Sequence, residues 1–196
     1  KVDSKVKIKT SSKRKIQVLF PARIIKEKGI IELISACESL WMEGYKFVLN
    51  IVGDIDLHNK STLSKKNLEK FKLNKNINFL GKSNNMLKIY RKMDFVVLPS
   101  WREGLSKSLI EASAMSLPII TTNVPGCKDV IIDKYSGILV PPRDEKSLKK
   151  AMKIFLDNKD LSETYGPNAR KIVENNFSTF RINTQILKIY NDFLNT

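Results

Sequence analysis

Six short apolar runs, each separated from the next by a polar connection or a stretch of helical periodicity, set the class of fold open to this chain of 196 residues. They are Ile16–Pro21, Phe47–Val52, 77–80, Phe95–Leu98, 118–121 and Gly137–Val140. The first, Ile16–Pro21, is rich in strand formers and bounded by lysine on one side and Pro-Ala-Arg on the other, and reads as a buried parallel strand. Between them lie segments of different period. Ile30, Ile31, Leu33, Ile34, Cys37, Leu40 and Trp41 recur at helical spacing. Further helices are expected over 63–73 and 86–92, after Glu103-Gly104, and over 147–156, 161–175 and 180–194. Strands alternating with helices predict an α/β domain with a doubly wound, mostly parallel, Rossmann-like sheet and extra C-terminal helices. Residues 1–14 are polar, basic and aperiodic, and read as a tail or linker to a domain spanning 15–196.

A chain of this length can bury about 70% of the surface its unfolded form exposes. Its 42% hydrophobic and 28% charged residues fit a globular protein rather than a disordered one. No apolar run approaches a bilayer span and no signal-peptide core follows the basic start, so a cytoplasmic location is expected. Cys37 and Cys127 match no metal spacing and read as reduced thiols. The net charge of +15 fits an anionic membrane surface, a diphosphate substrate or nucleic acid, and equally a solvated lysine-rich surface. Its densest clusters are Lys1, Lys5, Lys7, Lys9, Lys13, Arg14 and Lys15, and Lys146, Lys149, Lys150 and Lys153.

Candidate chemistry concentrates in residues 99–129, PSWREGLSKSLIEASAMSLPIITTNVPGCKD. Glu103 precedes a helix and Glu111 lies inside it. Gly104 lets the backbone approach a ligand, and the amides of Leu105, Ser106 and Lys107 are expected to open the helix as a phosphate site. The competing reading makes Ser108 and Glu111 a capping box and Glu103 a partner of the helix dipole. Arg23 and Lys28 follow the first strand, where a strand–helix loop faces the ligand crevice of an open sheet. Asp54, Asp56 and His58 alternate as metal ligands can, but Gly53-Asp54 after a strand is turn chemistry, so no metal is expected. His58 is the sole histidine. No Gly-x-Gly-x-x-Gly run follows the first strand, against a nicotinamide cofactor.

The stretch resembles the donor-binding half of GT-B glycosyltransferases of retaining family four, whose signature is a glutamate, seven residues and a second glutamate. Here these are Glu103 and Glu111, within proline-serine, glutamate-glycine-leucine and proline-glycine settings. The resemblance implies transfer from a nucleotide-diphosphate sugar, UDP-linked by preference, with no cofactor. Arg23 and Lys28 would grip the diphosphate, and Glu103 the sugar. The exit loop at Gly81 and Lys82 would hold the base, Gly104, Leu105 and Ser106 would line the phosphates, and Glu111 would take the ribose. Catalytic roles fall to Glu103, Arg23 and Lys28. Ala22, Ser106, Ser116 and Asp129 depart from the usual pattern. The start, Val2-Asp3 and lysines, resembles the end of an interdomain linker, implying a missing N-terminal acceptor domain. The last helix would pack on that domain, with ordinary packing on its own sheet as the alternative. Its context is most similar to enzymes of capsule, O-antigen or lipid-linked oligosaccharide assembly, with nucleic acid an unlikely partner. A basic nucleotide- or nucleic-acid-binding module and a GT-B-type sugar-nucleotide epimerase stay open as alternatives.

Overall fold

The computed structural model describes residues 14–56, 59, 61–158 and 160–194. The N-terminal lysine cluster up to Lys13 and His58 lie outside them. The strands are β1 (Ile16–Pro21), β2 (Phe47–Val52), β3 (Ile77–Gly81), β4 (Phe95–Leu98), β5 (Ile119–Thr122) and β6 (Gly137–Val140). The helices are α1 (Ile30–Met42), α2 (Lys65–Lys72), α3 (Met86–Tyr90), α4 (Lys107–Ala114), α5 (Glu145–Asp157), α6 (Leu161–Phe177) and α7 (Thr179–Leu194).

The strands form one sheet in the order β3-β2-β1-β4-β5-β6. All five pairings are parallel, so the expected mostly parallel sheet is parallel throughout these strands. β4 and β5 are buried at every residue, as consecutive apolar side chains covered on both faces require. Asn50, buried in β2, is paid for by neighbours: its amide donates to the Gln17 side chain at 3.1 Å and accepts from that of Asn78 at 3.1 Å. The core joins both faces. Ile30, Leu33, Ile34, Cys37 and Leu40 of α1 pack with Leu148, Met152 and Phe155 of α5 in one apolar cluster with the sheet.

The order of winding runs outward both ways from the middle of the sheet. β1 leads to β2 and β3 on one side, and β4 leads to β5 and β6 on the other. The loops leaving the C-terminal ends of β1 and β4 therefore flank the switch point of the sheet, where a ligand crevice is expected between them. The loops nonetheless meet at their bases. Gly29, in the left-handed region at φ 73°, lies so close to Pro99 that an added Cβ would overlap its carbonyl oxygen. The Trp101 amide donates to the Glu27 carbonyl at 2.8 Å, and its indole N–H donates to Glu32 at 2.8 Å.

α7 differs from the other helices. None of its side chains is buried, and Phe180, Leu187, Ile189, Tyr190 and Leu194 are exposed. Of the described helices, none is long and apolar enough to cross a membrane.

Candidate functional site

Apart from Glu111, inside α4, the residues singled out from the sequence for ligand binding lie at the C-terminal ends of the strands or in segments that follow them, and parallel strands all end on one side. Arg23 and Lys28 leave β1, Gly81 closes β3 with Lys82 after it, and Glu103 to Ser106 bridge β4 and α4. β3 lies two strands from β1, so Gly81 and Lys82 stand roughly 10 Å across the edge from the β1 loop. Gly81 is left-handed at φ 65°.

The centre of the arrangement is an ion pair across the crevice. Lys28 Nζ donates to Glu103 Oε1 at 2.6 Å, joining residues 75 positions apart. Both side chains are largely covered, at 19% and 11% exposure, so water screens the pair less than it would at an open surface. Ser100 Oγ donates to the same Glu103 oxygen at 2.8 Å. Glu103 is therefore held by two partners on one oxygen, and its engagement with Lys28 goes beyond any general complement to the helix dipole.

Arg23 stands more openly and donates to Asp56 at 2.9 Å. The aspartate weighed as a metal ligand is thus a partner for the guanidinium. Among the described residues no group of three potential ligands converges on a metal position.

The helix after Glu103 opens two residues later than expected in its use of amides. Ser106 is the N-cap residue and α4 starts at Lys107. The first-turn amides are those of Lys107, Ser108 and Leu109, while Leu105 and Ser106 precede the turn. Leu109 already bonds to the Ser106 carbonyl at 3.1 Å. Ser106 is buried and Leu105 is exposed. No capping box forms. Glu111 instead accepts from the Tyr90 hydroxyl at 3.2 Å and faces Lys107 Nζ at 3.7 Å.

The proline-glycine loop after β5 supports the Glu103 segment from beneath. Gly126 has φ 78°, and a Cβ there would overlap the Gly104 carbonyl oxygen. Asp129 accepts from the Gly126 amide at 2.9 Å, which gives this departure from the family pattern a place in the loop. Thr122 Oγ1 donates to the Ser100 carbonyl. Burial pushes the Cys127 thiol up, so it stays protonated behind the loop.

Several residues of this constellation carried no sequence signal for their roles. Asp56, Ser100 and Tyr90 acquire partners 33, 3 and 21 positions away. Trp101 has the Arg143 guanidinium 4.2 Å over its ring. Only the spacing of Ser100 and Glu103 on one short loop could have suggested a contact.

The profile of the family described as Glycosyl transferases group 1 matches residues 2–172. The chain belongs to this family. A capsular polysaccharide biosynthesis glycosyltransferase of Staphylococcus aureus, CapM, is 32% identical over 89% of the chain and 46% of its own length. The UDP-Gal:alpha-D-GlcNAc-diphosphoundecaprenol alpha-1,3-galactosyltransferase of Escherichia coli is 29% identical over 75% of the chain and 37% of its length. Among solved structures, sucrose-phosphate synthase of Thermosynechococcus elongatus superposes with a TM-score of 0.81 at 26% identity, over 92% of this chain and 46% of that one. The chain spans about half the length of the curated relatives it matches. The chain is thus a group 1 glycosyl transferase domain of GT-B type.

Proposed function

We propose that this group 1 glycosyl transferase binds a nucleoside-diphosphate sugar in the crevice between the β1 and β4 loops and serves as the donor half of a retaining glycosyltransferase. The observation that carries the reading is the Lys28–Glu103 pair, 2.6 Å across the point where the sheet's winding reverses. A cation suited to phosphate and a carboxylate suited to sugar hydroxyls are thereby fixed side by side. Both chemistries are needed within one such ligand.

In the transfer, the bond from the anomeric carbon to phosphate breaks and negative charge grows on the departing nucleoside diphosphate. Lys28 and Arg23 offset that charge, the arginine by its planar fork and the lysine as a point charge. The amides opening α4 add donors at the positive end of the helix. Glu103 accepts from the sugar hydroxyls and holds the ring in place, and Glu111 accepts from the ribose. Backbone groups around Gly81 and Lys82 hold the base. UDP is the favoured carrier, in keeping with the donor named for the Escherichia coli relative. The acceptor is a polysaccharide or a lipid-linked saccharide, as the names of both curated relatives suggest. It would be held largely by an N-terminal domain supplied alongside this one, with the basic surface favouring the anionic inner face of a membrane.

Calorimetric titration with UDP, GDP, UDP-sugars and a random-sequence oligonucleotide tests this reading. Selective binding of one nucleoside diphosphate, weakened about tenfold or more by Glu111→Ala, is the expected result, in line with loss of charge-assisted hydrogen bonds. Salt-sensitive binding of every polyanion, indifferent to that substitution, would replace it with a basic binding module.

A further inference from the structure

Glu111 points from the middle of α4 and is the residue assigned above to the ribose; what keeps its carboxylate aimed comes from a different element. Tyr90 ends α3 and is buried, with 2% of its surface exposed. Its hydroxyl lies 3.2 Å from Glu111 Oε2 and 3.2 Å from the Ser108 carbonyl oxygen. Both neighbours are acceptors, so the hydroxyl must serve as donor, with its single proton shared between them. The carboxylate, being charged, takes the stronger share. Burial, with the Glu111 charge adding to it, pushes the Tyr90 phenol well up, so the donor keeps its proton over the whole working range of pH.

From this arrangement we infer that Tyr90 is a positioning residue for the nucleotide ribose, acting through Glu111. An ionised carboxylate has about four lone-pair directions. Tyr90 occupies one on Oε2, which leaves room for the two vicinal hydroxyls of a ribose. Lys107, the other neighbour of Glu111, is 89% exposed and 3.7 Å away, too open and too distant to fix the side chain. Without the phenol hydroxyl, Glu111 would be free to rotate over the half-exposed surface of α4, and its ordering would have to accompany each binding event. Tyr90 lies behind the carboxylate and need not touch the ligand. Its effect should therefore appear only where ribose hydroxyls are present.

The inference rests on the ribose role proposed for Glu111, and a double-mutant cycle separates the two. Binding of UDP and of 2′,3′-dideoxy-UDP is measured by calorimetry on the unsubstituted protein, Tyr90→Phe, Glu111→Ala and the double variant. Phenylalanine keeps the ring and its packing while removing the donor. Tyr90→Phe is expected to weaken UDP about 3- to 10-fold, the range for ordering one mobile side chain, and to leave the dideoxy analogue within about twofold. In the Glu111→Ala background the same substitution should have no effect on either ligand. Equal loss for both nucleotides would show a general disturbance of the fold, and no loss for UDP would show that Glu111 needs no support; either overturns the inference while leaving the Glu111 assignment intact. Unchanged UDP binding in Glu111→Ala would remove the ribose assignment itself, and this inference with it.

Discussion

Ser116 follows the last turn of α4 with φ 56°, in the region where a side chain meets its own backbone. Its carbonyl oxygen is in turn so close to Gly166 of α6 that a Cβ at residue 166 would overlap it. The backbone is held there by packing, not by the preference of serine. Ser116→Gly relieves about 1–2 kcal/mol of local strain and returns about 0.5–1 kcal/mol to the unfolded chain's freedom. A net gain of roughly 0.5–1 kcal/mol is expected, seen as a rise of about 1–4 °C in the thermal midpoint. The position was marked in the sequence only by the family resemblance, as one of the departures from the usual pattern. The partnership of Tyr90 with Glu111 was not marked at all. A buried tyrosine in an apolar segment looks like any core aromatic until the approach of α3 to α4 is known, and that approach depends on β4 between them.

Among elements, the strands were the most readable. Ile16–Pro21, Phe47–Val52, Phe95–Leu98 and Gly137–Val140 have the bounds expected from their apolar runs, because burial on both faces leaves little choice of side chain. Helix ends were less so. α2 spans Lys65–Lys72 rather than 63–73, and α4 opens at Lys107, since a cap is decided by backbone geometry that many residues can adopt. The loops between elements carry the site, and their mutual support was the least readable of all. The contact of the proline-glycine loop with Gly104 is a case in point. Gly126→Ala combines a left-handed backbone with an overlap against a carbonyl, so it should cost about 2 kcal/mol or more in urea denaturation. It should also weaken nucleotide-sugar binding, because the Glu103 loop rests on that glycine.

At the scale of the whole molecule, acid should loosen the fold in a defined window. The Ser61 hydroxyl holds Glu27 below its ordinary value of 4.5, the Lys149 ammonium does the same for Glu43, and the Ser147 hydroxyl holds Asp144 below 3.8. Each carboxyl is a stronger acid in the folded chain, so between the lowered and ordinary values the unfolded chain binds more protons. The stabilisation is complete above about pH 4.5 to 5 and is lost as the pH falls through the lowered values. Urea midpoints should stay level from pH 7 to about 5 and fall below about 4.5, less steeply in Asp144→Asn. The crevice itself carries a different consequence. Lys28 and Glu103 come from opposite wings of the sheet and meet only when its two central strands are side by side. Neither wing alone can hold the pair, so any ligand that needs both residues selects the sheet in which both wings have joined and draws the chain away from half-assembled ones.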